Sequence, residues 1–305
     1  MFGSEILDVA IGMIFVYLFL SIITSVITEW ISKRLEMRAK NLEEGIRSLL
    51  DDPEGTGIAL AFYNHPLIKG LSQGGRKPSY IPSRFFAVAL MDIIAPSDPE
   101  KGPKTFDEVR GTIHTLPSSD LQKTISSLLD DAEISLKKAR ENFEKWFDEA
   151  MDRVSGWYKM KSKPIVFVTA LVVTVALNAD TLSITKTLFQ DPTRRAGLVT
   201  AAQEISKQPM STSEDAQKRM KQIDEEMKKL EFPVGWTKSD LDIFTDFWQS
   251  FSKNFWQILT KTIGLFLTIL AVSLGAPFWF DILNKFINIR AAGPKPEKAK
   301  KPPEE

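Results

Sequence analysis

Two kinds of residue in this 305-residue sequence carry side chains that could do chemistry: two histidines, and a few polar residues inside apolar segments. His65 stands in Tyr-Asn-His-Pro and could act as a general acid or base. No nucleophile or orienting carboxylate is recognisable near it in the sequence, so a structural turn histidine is the favoured interpretation. His114 has no partner motif. The sequence therefore predicts a protein that is not an enzyme, and a membrane-bound hydrolase using His65 ranks as the third alternative.

Composition excludes several other classes of site. The chain has 39 basic and 39 acidic residues, which gives no reason to expect nucleic acid as a partner. It has no cysteine and two histidines, so thiolate and histidine-rich metal sites are excluded. The segment 72–75, SQGG, lacks the lysine and hydroxyl of a phosphate-binding P-loop. We therefore predict no cofactor.

The better leads are polar residues at membrane depth, because burying them costs free energy unless they are paired or solvated. Asp180 lies near the end of the second apolar block, and Lys261 lies about one turn into the third. We predict that these two residues pair across helices, with Asn178 assisting. The alternative is that Lys261 extends to the lipid headgroups instead.

Three apolar blocks position these residues, and they predict transmembrane helices over 6–31, 164–184 and 255–277. The first is interpreted as an uncleaved anchor rather than a signal peptide, because its basic residues follow the apolar run instead of preceding it. The second has a short purely apolar part, 165–177, that continues through Asn178, Asp180 and Thr181. The third ends in Gly275-Ala276-Pro277, a sequence that bends helices.

Basic residues near spans favour the cytoplasm. Clusters follow the first block, precede the second and follow the third; they include Lys33, Arg34, Lys159, Lys161, Lys163 and Arg290. Acidic residues near the N-terminus and before the third block fall on the other side. These charges predict an N-terminus outside and a C-terminus in the cytoplasm.

The remaining segments complete an all-α membrane protein with three transmembrane helices, a mostly helical cytoplasmic region and a smaller helical extracytoplasmic region. Residues 1–5 form the outer N-terminus, 32–163 the cytoplasmic region and 185–254 the extracytoplasmic region. Residues 278–290 are predicted to lie as an interfacial helix along the inner leaflet, and 291–305 as a disordered tail. Periodicity and breakers predict individual helices over 41–52, 85–94, 120–158 and 213–230, and one opening at Asp191-Pro192.

Several stretches together resemble a family of uncharacterised bacterial membrane proteins in which similar blocks occur in the same order. They are YNHPLIKGLS with PSYIPSRFF, WFDEAMDRVSGWYK (146–159), LNADTL (177–182) and SLGAPFWFDILNKFINIRAAG (273–293). The resemblance covers most of the chain, and the last block is the most distinctive. It implies a bacterial source and an inner (plasma) membrane location, and it supplies no catalytic residue.

These features predict a non-catalytic scaffold or anchor of the inner membrane. It would act through protein–protein interaction, with the bilayer, copies of itself or another protein as partners. The alternative is a homo-oligomeric channel or transport component, since one protomer has too few spans to enclose a pathway.

Overall fold

The computed structural model describes residues 2–72, 74–96, 105–132, 134–207, 235–236 and 247–292. These residues form helices and no β-strand, which confirms the all-α class. The chain divides into two compact units. The span unit comprises Met1–Trp30 with Pro164–Glu305, and the inserted unit comprises Ile31–Lys163. The predicted helix over 213–230 lies outside the described residues, as does the tail beyond Ala292.

The helices are, in chain order, α1 Phe2–Arg34, α2 Met37–Leu49, α3 Ile58–Asn64, α4 Pro66–Lys69, α5 Ser83–Ile94, α6 Phe106–Thr112, α7 Ser119–Asp130, α8 Leu136–Ala176, α9 Thr181–Gln190, α10 Pro192–Ser206, α11 Phe247–Ser273 and α12 Ala276–Ala292. A 3₁₀ helix, Ile113–Thr115, joins α6 to α7.

The inserted unit is built around its own apolar core, to which α2, α3, α5, α7 and the first half of α8 contribute. Phe86 on α5 lies at its centre, with ring centroids 5.3 Å from Phe62 and 4.5 Å from Phe147. All three aromatic side chains are almost fully buried. Burying such side chains stabilises a domain by roughly 2–3 kcal/mol each relative to leaving them in water.

The predicted continuous helix over 120–158 is wrong, because the chain breaks between Asp130 and Leu136. Ile134 adopts a left-handed conformation with φ 61°. The Ser135 hydroxyl then accepts a hydrogen bond from the amide of Lys138 at 3.3 Å, which caps the start of α8. Asn142 reaches back to donate to the carbonyl of Leu128 at 2.9 Å. The local capping interactions therefore outweigh the shared helical period of the two segments.

Among the described residues, two helices are long and apolar enough to cross a membrane, Glu5–Arg34 and Phe255–Ser273. A third crossing is possible by length and composition if α8 and α9, which are bent by 51° at a short break, form one span. The second predicted span, 164–184, thus corresponds to parts of two helices. Pro164, the predicted start of this span, lies inside α8, which is a single uninterrupted helix of 41 residues.

The last helix, which the sequence predicts to lie along the inner leaflet, packs against α1. The ring of Trp279 lies 4.7 Å from that of Tyr17, and Nε of Arg290 lies 3.0 Å from Oδ1 of Asp8. Trp279, near the start of α12, contacts Tyr17, whereas Arg290, near its end, contacts Asp8, which lies earlier on α1. Helix α12 therefore runs antiparallel to α1 and ends beside its first turns. Gly275, with φ 88°, makes the reversal between α11 and α12.

Candidate functional site

Asp180 lies at the break between α8 and α9 and caps the second of these helices. Its Oδ1 accepts hydrogen bonds from the amides of Leu182 at 2.9 Å and Ser183 at 3.4 Å. The break begins at Asn178, whose φ of 48° is left-handed. This is a conformation that asparagine tolerates better than most residues. Asp180 is 5% exposed, so its charge is held in the interior by these backbone donors.

The Asp180 carboxylate also lies directly against α11. A Cβ atom built on Gly264 would stand 2.6 Å from the carboxylate carbon, which is well inside van der Waals contact. Glycine at this position therefore allows α11 to approach the start of α9. The close approach brings a second polar residue of α11, Thr268, to the same place.

A chain of hydroxyl groups joins three helices beside Asp180. The Tyr17 hydroxyl lies 2.9 Å from Oγ1 of Thr181, which lies 2.8 Å from Oγ1 of Thr268. Thr268 donates its single proton to the carbonyl of Gly264 at 3.0 Å and accepts from the amide of Thr181 at 3.1 Å. Since each hydroxyl has one proton, Thr181 must donate to Thr268, and Tyr17 to Thr181. The hydroxyl groups therefore all donate in one direction, from α1 through α9 to α11.

Residues 235–236 bind the end of α8. Asn178 donates to the carbonyl of Gly235 at 2.9 Å, and the Gly235 amide donates to the carbonyl of Leu177 at 2.9 Å. The indole Nε1 of Trp236 donates to the carbonyl of Val175 at 3.1 Å. These bonds satisfy carbonyl groups that the end of a helix would otherwise leave without partners.

Lys261 lies one turn before Gly264 on α11, with Nζ 6.0 Å from the centre of the Trp236 ring. The three predicted site residues, Asp180, Asn178 and Lys261, are thus all within or beside the region where α8, α9 and α11 meet. The ion pair between Asp180 and Lys261 stays a prediction.

The sequence analysis missed a buried polar face on α1. Tyr17, Ser21, Thr24 and Thr28 recur at helical spacing, and the last three are buried. Ser21 donates to the carbonyl of Val272 at 3.1 Å. The hydroxyls of Thr24 and Thr28, and that of Thr174 on α8, have no hydrogen-bond partner within the part of the chain that the structure describes. The spacing alone could have revealed this face, because residues three and four apart share one side of a helix.

His65 caps a helix in the inserted unit. Its Nδ1 accepts from the amide of Leu67 at 3.3 Å, and its Nε2 lies 3.3 Å from Oδ2 of Asp92. The carboxylate that the sequence did not reveal is therefore supplied by α5. Because Nδ1 is an acceptor here, the neutral ring carries its proton on Nε2, towards Asp92. Both ring nitrogens are engaged, whereas a general base needs one nitrogen available to a substrate.

His114 lies in the 3₁₀ helix, and nothing in its surroundings assigns it a role. Within the described ranges, no group of three or more histidine, aspartate or glutamate side chains is placed to hold a metal ion.

No family model, curated protein or solved structure matches the chain. The resemblance of its sequence blocks to a bacterial membrane-protein family stays a prediction.

Proposed function

We propose that this protein is a non-catalytic scaffold or anchor of a bacterial inner membrane. The observation that carries the proposal is the placement of the inserted unit, residues 31–163, between the first and second candidate spans. This unit has a core of its own and is attached at both ends to apolar helices. A helical unit tethered twice to a bilayer is suited to presenting a surface to a partner at the membrane.

The proposed topology has three spans, α1, the bent pair α8–α9 and α11, and α12 then turns back through the bilayer beside α1. The basic residues that flank the inserted unit support a cytoplasmic location for it, with the N-terminus outside. The charge count of the tail favours a cytoplasmic C-terminus. The Asp8–Arg290 ion pair, at 3.0 Å, instead supports placing the end of α12 on the same side as the N-terminus. We adopt the second arrangement.

A groove of about 630 Å³ in the inserted unit is the surface that we propose for a partner protein. Tyr80 and Tyr158 line it, and Tyr80 is 72% exposed. Tyrosine and arginine are enriched in protein interfaces, and Arg38 lies over the Tyr158 ring at 5.8 Å. Asn41, also in the groove, is buried, and its side-chain oxygen accepts no hydrogen bond from the described residues.

The test is to extract the full chain in mild detergent, measure the mass of the complex and identify what accompanies it. A scaffold predicts a complex of fixed stoichiometry that Tyr80→Lys dissociates. The matched control is Lys123→Gln, since Lys123 is an exposed residue elsewhere in the same unit and should leave the complex intact. A monomer without partners, or a complex indifferent to Tyr80→Lys, would overturn the proposal.

The second candidate is a homo-oligomeric channel or transport component. It is favoured by the buried hydroxyls of Thr24, Thr28 and Thr174, because polar groups inside a membrane often mark an ion or solute path. This function requires ion flux through liposomes containing the protein, and a change of that flux in Thr24→Val. A scaffold would give no flux with either protein.

The proposal includes no enzymatic activity. Its support is the engagement of both ring nitrogens of His65, by Leu67 and Asp92. A turnover that His65→Ala abolishes in a folded protein would contradict it.

A further inference from the structure

A cavity of about 450 Å³ opens on the inserted unit between α2, α3, α4 and the segment that follows α4. Its lining is strongly basic and includes no carboxylate residue. The cations that line it come from three parts of the chain and are Arg47, Lys69, Arg76 and Lys77.

Two carboxylates that lie outside the lining form ion pairs with these cations. Glu43 contacts Arg47 and lies 2.7 Å from Nζ of Lys77. Glu36 lies 3.0 Å from Nε of Arg76. Four cations against two carboxylates leave a positive excess, and a concave, partly desolvated surface concentrates such a potential on an anion.

Tyr63 adds a hydrogen-bond donor without a partner. Its hydroxyl oxygen is inaccessible to solvent and has no hydrogen-bond partner among the described residues. Lys77 lies over its ring, with Nζ 4.8 Å from the centroid. Burial raises the pKa of Tyr63 above its ordinary value, the Glu43 carboxylate raises it further, and Arg47 opposes them. Tyr63 therefore keeps its proton, and donating it to an acceptor would add a hydrogen bond that the hydroxyl lacks in the unliganded protein.

One side of the cavity is less polar. Leu60 contributes to its lining and is 49% exposed, whereas Ala59, which also borders the cavity, is buried. A purely inorganic anion would leave this side unused, whereas a ligand with a phosphate at one end and an organic group at the other would contact both.

We propose that this cavity binds a small molecule bearing a phosphate group. The phosphate oxygens accept hydrogen bonds from Lys69 and Arg76 and, after a shift of its ring that exposes the hydroxyl, from Tyr63. The organic part lies against Leu60. The chemistry is common to a soluble phosphate ester and to a phosphomonoester lipid headgroup. This inference goes beyond the proposed scaffold function and does not depend on it.

The test titrates the full chain, purified in a non-ionic detergent, with inorganic pyrophosphate at constant ionic strength, followed by calorimetry. The wild type should bind saturably. Tyr63→Phe should weaken binding roughly tenfold, the order expected for a lost hydrogen bond to a charged group. It should not lower the thermal stability of the unliganded protein, since its hydroxyl has no partner there. The pair Lys69→Gln and Arg76→Gln should weaken binding further.

The matched control is Lys123→Gln together with Lys137→Gln, which removes two exposed cations elsewhere in the same unit. Equal weakening by the control would mean non-specific attraction and would overturn the site. Parallel titrations use phosphatidylcholine vesicles with and without phosphatidic acid. Binding of pyrophosphate assigns a soluble phosphate, and Tyr63-dependent binding of phosphatidic acid alone assigns a lipid headgroup. Failure of both ligands to bind the wild type would refute the proposal while leaving the scaffold test unaffected.

Discussion

Gly264 and Asp180 approach each other so closely that any side chain on the glycine would collide with the carboxylate. The built Cβ stands 2.6 Å from Cγ of Asp180. Asp180 cannot turn away without losing its bonds to Leu182 and Ser183. We therefore expect Gly264→Ala to destabilise the span unit by about 2 kcal/mol, the usual size of an overpacking cost. Thermal unfolding in detergent measures this change.

The matched control is Gly156→Ala on α8, where an added Cβ meets nothing within 4 Å. It should leave stability unchanged or raise it slightly, because alanine favours helices over glycine. Asp180→Ala combined with Gly264→Ala should cost less than the sum of the two single changes, because the collision is then absent. Strict additivity would count against the contact.

The hydroxyl chain predicts that replacing one hydroxyl group on α11 by a methyl group strongly lowers stability. Thr268→Val removes the acceptor of two hydrogen bonds from Thr181 and leaves those partly buried donors without it. The expected loss is about 2–3 kcal/mol in the free energy of unfolding. Thr262→Val is the control, because the exposed Thr262 bonds, among the described residues, only to the carbonyl of Ile258 in its own helix. The idea fails if both variants unfold alike.

Acid should weaken the loop that precedes α3. Asp52 accepts hydrogen bonds from the amides of Gly55, Gly57 and Ala59 at 2.9–3.0 Å. Desolvation is the largest single effect and acts to raise the pKa of Asp52, but hydrogen bonds from these amides and from that of Thr56 together lower it below its ordinary value of 3.8. A lowered pKa gives stability that is present above the ordinary value and is lost as pH falls through the folded-state value.

Asp52→Asn should therefore reduce stability at neutral pH, and the difference from the wild type should shrink in acid below the ordinary pKa. Unfolding curves of the two proteins from pH 7 to pH 2 measure this convergence. A difference independent of pH would mean that the carboxylate charge does not matter.

His65 should behave as a capping residue. His65→Asn keeps an acceptor suited to the start of α4 and should preserve stability, whereas His65→Ala should cost about 1 kcal/mol. Chemical unfolding distinguishes the two. If both variants are equally destabilised, the Asp92 contact rather than the cap determines the role of this residue.

The antiparallel course of α12 predicts the side on which the C-terminus emerges. The absence of cysteine allows single cysteines to be introduced at Ser4, Lys123 and Lys300. In intact spheroplasts, a membrane-impermeant maleimide should label Ser4→Cys and Lys300→Cys, and Lys123→Cys only after lysis. Protection of Lys300→Cys would restore the cytoplasmic C-terminus that the basic tail suggests.

The sequence predicted the first and third apolar helices because hydrophobic length is a strong local signal, but it did not predict that the second apolar block is divided between two helices. It located the bend after α11, since Gly275 and Pro277 act through their own backbones. It also singled out Asp180 and Asn178, because polar residues are conspicuous in an apolar run. What it did not reveal was the partners of these residues. The Gly264 approach, the Thr181–Thr268 bond and the supply of Asp92 to His65 all join distant parts of the chain.

Two features of the structure that the sequence pattern did not predict have a common physical cause. The break at Ile134 and the return of α12 along α1 both depend on competition between a smooth helical pattern and specific contacts. Ser135 and Asn142 stabilise the first, and the Asp8–Arg290 pair accompanies the second. Periodicity records which side of a helix is apolar, but it does not record where another helix will lie.

The buried face of α1 has a consequence for biosynthesis. The residues that cover it on α9, α11 and α12 leave the ribosome more than a hundred residues after α1 itself. In the proposed topology, the inserted unit can complete its core in that interval, while α1 stands in the bilayer with Tyr17, Ser21 and Thr24 facing lipid. Until the later helices are made, the polar face of α1 therefore needs another partner, such as the insertion machinery.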